Sequence, residues 1–218
     1  MKKDMRQLKI PFMEGLEKMD FKSLELRMEA EAVKAYVDTV CWPDEFPYAP
    51  DASFSIARSA SHIVILYRTG GLDLRAETLQ DNGPVWQDSC CEFFVSDPSD
   101  GTYYNFEMNC IGTLLASKRK SRSDFRYFGE EELGRIIRHT SLERKRYDMS
   151  DEVFQWRTAI CIPFSLIGID GERLPESVRA NFYKCADGSA HPHYLSWNPV
   201  ETPHPDFHRP EFFGRLVF

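Results

Sequence analysis

Several stretches of this chain alternate apolar and polar residues with a period of two: Ser53–Arg58, His62–Arg68, Cys90–Val95, Tyr103–Cys110, Phe154–Ile162, Val178–Cys185 and Tyr194–Asn198. That period belongs to β-strands, whose successive side chains point to opposite faces. Turn-forming residues recur between the stretches, and no internal repeat or long Gly/Ser linker divides them. Between Val95 and Tyr103, Ser96-Asp97-Pro98-Ser99-Asp100-Gly101-Thr102 supplies the turn chemistry of a hairpin. Helical spacing is sparse. Glu130–His139 places Leu133, Ile136 and Ile137 on one side with acids in its first turn, which predicts a short surface helix. Leu24–Val40 stays ambiguous, because Leu24, Leu26 and Met28 alternate while the Ala-containing stretch after them favours helix. Many strands and one or two short helices predict an all-β fold, an antiparallel β-sandwich of the jelly-roll or immunoglobulin-like kind.

With 218 residues, 42% of them hydrophobic, the chain can bury a sizeable core, and one continuous domain over 1–218 is expected, residues 1–45 being partly an N-terminal extension. The net charge of −7 removes the broad basic field that a phosphate backbone or an anionic membrane requires, so neither nucleic acid nor membrane is an expected partner. Apolar runs such as Ile63-Val64-Ile65-Leu66-Tyr67 are strand-sized and far below the ~20 residues that span a bilayer. Met1-Lys2-Lys3-Asp4 leads into no apolar stretch of the secretory kind, which gives a cytoplasmic expectation, replaced by an extracellular or periplasmic one for a trimmed chain. Self-association is not legible.

Cys41, Cys90, Cys91, Cys110, Cys161 and Cys185 form no C-x-x-C pair and are expected mostly as reduced core thiols. Cys90 and Cys91 are adjacent and point to opposite faces of a strand, so together they make a poor zinc site.

Alternation also builds a polar face. In Tyr103–Cys110, one parity carries Tyr104, Phe106, Met108 and Cys110 to the core, and the other presents Tyr103, Asn105, Glu107 and Asn109. The preceding strand puts Glu92 on the corresponding face, and Val178–Cys185 puts Arg179, Asn181 and Tyr183 on one parity. Amides, carboxylates and phenols side by side suit sugar hydroxyls, and they equally suit a solvated sheet face. Trp86 follows the turn signals Asp81-Asn82-Gly83-Pro84, at a loop end where a ring can serve as a stacking platform or cap the core.

The run Trp86-Gln87-Asp88-Ser89-Cys90-Cys91-Glu92-Phe93-Phe94-Val95 and then Tyr104-Asn105-Phe106-Glu107-Met108-Asn109 resembles the family 9 carbohydrate-binding modules and their stand-alone bacterial relatives. Further matches follow in the same order: Trp156 through Ile162-Pro163-Phe164, Arg179-Ala180-Asn181-Phe182, Ser196-Trp197-Asn198-Pro199, and Phe207-His208-Arg209-Pro210-Glu211-Phe212-Phe213-Gly214. The resemblance covers most of residues 46–218. It implies an antiparallel sandwich related to the DOMON-like group, non-catalytic binding of a mono- or oligosaccharide between two aromatic rings, and a link to carbohydrate catabolism. By motif, Trp86 is the first ring, Glu92 the carboxylate that accepts sugar hydroxyls, and Asn109 part of the same floor. Glu107 stands where the family often has a basic residue, and Phe207, with His208 beside it, replaces the second Trp. Arg179 joins the expected hydrogen-bonding groups. No cofactor is expected. Structural calcium is implied by the resemblance alone, because no D-x-D-x-D-G loop is present.

Two rival readings use other residues. Glu92 and Glu107 on neighbouring strands could serve as the carboxylate pair of a retaining glycoside hydrolase, whose carboxyl groups lie about 5–5.5 Å apart. His191, His193, His204 and His208 have spacings that could hold a metal or haem, although prolines among them also fit rigid loops. The basic runs 118–126 and 144–146 read as solvated loops, the first of which could contact an acidic sugar.

Overall fold

The computed structural model describes residues 5–218, so the charged start Met1–Asp4 lies outside the described residues. In chain order the elements are β1 (Gln7–Lys9), α1 (Phe21–Glu31), β2 (Val33–Tyr36), β3 (Thr39–Val40), β4 (Asp51–Arg58), β5 (His62–Gly71), β6 (Leu74–Ala76), β7 (Cys90–Ser96) and β8 (Tyr103–Asn109). They continue with β9 (Leu114–Arg119), β10 (Phe125–Tyr127), α2 (Glu130–Gly134), β11 (Ile137–Thr140), β12 (Tyr147–Met149), β13 (Phe154–Pro163), β14 (Ser177–Cys185), β15 (Tyr194–Ser196) and β16 (Gly214–Val217). The larger sheet runs β1-β16-β14-β7-β8-β9-β10, with β15 and β3 joined to β14; the smaller runs β11-β13-β5-β4-β2; β6 and β12 form a separate ribbon. All pairings between named strands are antiparallel except β1 with β16.

The predicted strands are present, and the sandwich core forms where the apolar parities meet. Phe54, Ile63, Ile65 and Tyr67 of the smaller sheet pack against Phe93, Phe106, Met108, Ala180 and Phe182 of the larger. Phe54 and Phe182 stack across the gap with ring centroids 3.7 Å apart and planes 16° apart. At the tip of the β7–β8 hairpin, Gly101 adopts φ +72°, a left-handed conformation that glycine enters without a Cβ penalty. Asp97 there accepts hydrogen bonds from Ser99 and from the Tyr104 hydroxyl.

Both sheets are covered on their outer faces as well. Leu24 and Met28, one helical turn apart on α1, pack with Ala57, Val64, Leu66, Ala159 and Cys161 of the smaller sheet. This explains why β5 reads as a nearly continuous apolar run: a strand buried on both faces has no polar parity. It also resolves the ambiguity at Leu24–Val40. Asp20 caps the helix through the Ser23 amide, Leu26 is exposed, and the four-residue spacing prevails until Ala32 turns extended. Residues 5–45 are therefore not an appendage. β1, β2 and β3 add to β16, β4 and β15, and α1 covers the sheet. The helix expected over Glu130–His139 stops at Gly134, because Ile137–Thr140 pairs with β13 as an edge strand.

On the larger sheet, a second apolar cluster unites Phe94, Tyr103, Leu115 and Tyr183 with Trp42, Val200, Phe207 and Phe213. The parity expected to face solvent lies instead beneath the segment that follows β15. Among the described residues no helix is long and apolar enough to cross a membrane.

The Phe54–Phe182 stack joins the two sheets at a position with no exposed surface. Phe182→Ala is expected to cost about 3–5 kcal/mol in urea denaturation, whereas Val153→Ala at an exposed site changes stability by at most ~0.5 kcal/mol.

Candidate functional site

Five consecutive strands of the larger sheet each contribute to one cavity of about 370 Å³. Cys185 comes from the end of β14, Glu92 from β7, Glu107 from β8, Arg119 from β9, and Phe125 and Tyr127 from β10. The walls come from outside the sheet: Trp86 in the short 3-10 turn Val85–Gln87 before β7, Asp187 and Tyr194 around the β14–β15 connection, and Pro205–His208 in the covering segment. The volume falls within the ~300–1,000 Å³ of small-ligand sites.

The floor is set by strand register. Glu92 faces Glu107 directly across β7 and β8, and Tyr183 of β14 stands opposite Glu92. Asn105, two residues before Glu107 on the same face, donates to its Oε1 at 2.6 Å. Asn105 in turn accepts from the Ser117 hydroxyl and, at 2.8 Å, from Arg119 Nε. The Arg119 guanidinium also donates to the Arg122 carbonyl and lies 4.1 Å from the centre of the Phe125 ring. Glu92 Oε1 accepts from the Cys185 thiol at 2.9 Å.

Burial dominates the electrostatics. It raises Glu92 well above the usual carboxylate range, and the neighbouring Glu107 charge adds to the effect. It raises Glu107 to about 7 against the opposing influence of the Asn105 hydrogen bond and Arg119. Asp187, on the exposed rim, is raised to about 6 by partial desolvation, while its hydrogen bond with Tyr194 opposes the shift. Burial also lowers His208 to about 3, helped by Arg119 and Arg122, so its ring is neutral near pH 7 and stands 3.2 Å from the Tyr103 hydroxyl.

Of the residues expected in the site, the structure brings Trp86, Glu92, Glu107, Phe207 and His208 together. Trp86 is half-buried. Phe207 is only 9% exposed and stacks on Tyr183 at 4.1 Å and 15°, so one of its faces is already taken. Asn109 and Arg179 stand elsewhere. Asn109 is buried and donates to the Thr78 carbonyl and to Asp88 while accepting from the Thr113 amide. Arg179 donates to the carbonyls of Pro210, Glu211 and Phe213. Each satisfies local backbone groups and neither lines the cavity.

Sequence reasoning missed Phe125, Tyr127, Cys185, Asp187 and Tyr194, and treated Arg119 and Arg122 as members of a solvated loop. Arg119 is buried, and Arg122 lies 3.6 Å from Asp206 on the cavity rim. The alternation Phe125-Arg126-Tyr127 was an available signal for β10. The four C-terminal histidines go to different partners: His191 to Asp73, His193 to Lys184, His208 to Tyr103, and His204 is exposed. Among the described residues, the three-member convergence of metal-capable atoms is Cys90, Glu92 and Cys185, with no histidine in it.

Comparison with known proteins places this architecture. A protein from Bacteroides uniformis ATCC 8492, named for an expected carbohydrate-binding role, superposes with a TM-score of 0.88 at 32% identity, over 99% of this chain and 100% of its own. A carbohydrate binding module family 9 protein from Caldicellulosiruptor kristjanssonii, in complex with cellotriose, gives a TM-score of 0.57 at 10% identity over 97% and 93% of the two chains. The structure of a module of this family from the same organism with glucose gives 0.53 at 11% identity over 97% and 95%. At those identities the likeness is one of fold. No curated protein matches the chain in sequence. The profile of carbohydrate-binding family 9 matches residues 22–218, from α1 to the last strand, and the chain belongs to that family.

Proposed function

We propose that the cavity binds a mono- or oligosaccharide non-covalently, with Trp86 as a stacking surface and Glu92, Glu107, Arg119 and Asp187 as the hydrogen-bonding groups. The observation that carries this reading is the juxtaposition, over five strands, of a half-buried indole with buried carboxyl and guanidinium groups in a chain of this family. An aromatic face covers the apolar side of a sugar ring, and directional polar groups replace the water lost from its hydroxyls. Phe125 and Tyr127, both partly exposed, offer a second aromatic surface more open than Phe207. The Caldicellulosiruptor modules, in complex with glucose and cellotriose, suggest the probes. A role in carbohydrate catabolism is consistent with such binding.

Hydrolysis by Glu92 and Glu107 is the weaker reading. A glycosidase pair works when environment pushes two carboxyl groups apart, leaving one ionised and one protonated. Here burial raises both, Glu92 well above the carboxylate range and Glu107 to about 7, so neither is held low in the way an ionised nucleophile requires.

Titration calorimetry with glucose, cello-oligosaccharides and uronic-acid oligosaccharides tests the proposal. Wild type is expected to saturate with at least one of them. Trp86→Ala is expected to weaken that binding by about tenfold or more, equivalent to ~1.4 kcal/mol, while Gln155→Ala at an exposed position on β13 of the other sheet leaves it unchanged. Absence of binding across the panel, or full affinity in folded Trp86→Ala, overturns the reading, and product formation on long incubation replaces it with catalysis.

The raised carboxyl of Glu107 gives a second test. The folded protein holds this proton more tightly than the unfolded chain, so its contribution to stability is present below about pH 4.5 and is lost as pH rises towards 7. Glu107→Gln is expected to remove that part of the decline, so that its stability relative to wild type increases between pH 5 and 7.5 in urea titrations, even as sugar affinity falls. Parallel stability profiles for the two proteins would contradict the assignment.

A further inference from the structure

Cys90 and Glu92 lie two residues apart on β7 and therefore share a face, and Cys185 on β14 is in register with Cys90. Their sulfur and oxygen ligand atoms all lie within 4.8 Å of one another, with Cys185 Sγ 2.9 Å from Glu92 Oε1. All three side chains are buried, and Glu92 and Cys185 line the cavity. We propose that Cys90, Glu92 and Cys185 form a binding site for a zinc-class divalent cation in the floor of the cavity.

The geometry suits a tetrahedral ion. Zinc bonds of about 2.3 Å to sulfur and 2.0–2.2 Å to oxygen place ligand atoms roughly 3.5–3.8 Å apart, within the spread these three already occupy. A strand that offers residues i and i+2, with a cross-strand partner beside them, holds three ligands on one rigid face without moving the backbone. Three protein ligands leave a fourth position for water or another small ligand, and Glu92 and Cys185 border the cavity that would supply it. The donor set selects the metal: two thiolates suit zinc, whereas calcium takes oxygen ligands. The arrangement is separate from the pair Cys90 and Cys91, which point to opposite faces; Cys91 packs in the sandwich core while Cys90 packs beneath the covering segment.

Cobalt(II) is the probe, because thiolate ligation gives charge-transfer absorption and tetrahedral geometry gives intense visible bands. Fully reduced protein is expected to take up one equivalent of cobalt with both signatures, and one equivalent of zinc is expected to displace it. Cys90→Ser and Cys185→Ser are each expected to weaken uptake at least tenfold. Glu92→Gln is expected to weaken it less and to keep the charge-transfer band, and Cys110→Ser and Cys161→Ser are expected to leave it unchanged. The proposal is overturned if reduced, folded wild type shows no charge-transfer band at one equivalent. Persistence of the band in both folded Cys90→Ser and Cys185→Ser overturns it equally. The titration contains no sugar, so its failure leaves the carbohydrate reading standing, and a failure of sugar binding leaves this one intact.

Discussion

Two carboxyl groups, Glu92 and Glu107, stand in register on adjacent strands beneath a layer of protein, and much of the structure is arranged around that placement. A buried carboxylate is costly unless it is paired or hydrogen-bonded. Here the partners come from the same sheet face: Asn105 supports Glu107, Ser117 and Arg119 hold Asn105, and Cys185 donates to Glu92. Each of these residues is on the face that strand parity dictates, so one choice of register assembles the whole row. The covering segment, apolar around Phe207 and Phe213, leaves the neighbourhood of this row open as a cavity.

Keeping that cover in place is the work of residues that never reach the cavity. Asn181 Nδ2 donates to the Asn198 carbonyl, and the Asn198 amide donates back to Asn181 Oδ1. The Asn198 side chain then reaches the Phe212 carbonyl, and Arg179 gathers three more carbonyls from the same turn. On the other side, Asp88 accepts from the Glu77 and Thr78 amides and from Asn109, which fastens the loop that carries Trp86. Buried polar side chains whose hydrogen bonds go mainly to backbone groups rigidify a loop, and a rigid loop can present a ring at a fixed place.

This division explains what was legible in the sequence. Period-two alternation named the main strands and their inward parities, since Tyr104, Phe106 and Met108 could only pack inward once Glu107 and Asn109 were assigned to the other face. The same alternation could not say that the outer face is covered. Covering depends on residues 197–213, which have little secondary structure and no periodicity, and their fold is decided by tertiary hydrogen bonds such as those of Asn181 and Arg179. Asn109 and Arg179 shared the parity of site residues and were expected among them, yet their partners are backbone groups and, for Asn109, the Asp88 carboxylate. Arg119 failed in the opposite direction. Within a basic run it looked solvated, but its position opposite Tyr103 on the adjacent strand draws it under the cover beside Asn105. The N-terminal helix was obscured because Leu24, Leu26 and Met28 alternate like a strand while Leu24 and Met28 alone also fit helical spacing; the Asp20 cap and the exposure of Leu26 show that the helical spacing prevails.

The distant relatives bear on where specificity resides. At about 10% identity the fold is retained over nearly the whole chain, so what the sandwich demands is the apolar parity of its strands and the turns between them. The outer parity of β7, β8, β9 and β14 faces away from the sandwich core, towards the cavity, the cover and the loop that carries Trp86. Glu92, Glu107 and Arg119 set the chemistry of the floor from this face, whereas the stack of Phe54 on Phe182 that joins the sheets lies on the other. The row that reads Cys185, Glu92, Glu107, Arg119 and Phe125 across five strands lines the cavity rather than the sandwich core. The architecture supplies a sheet of fixed register, and under the proposed reading the side chains projecting from it into the cavity are what meet the sugar.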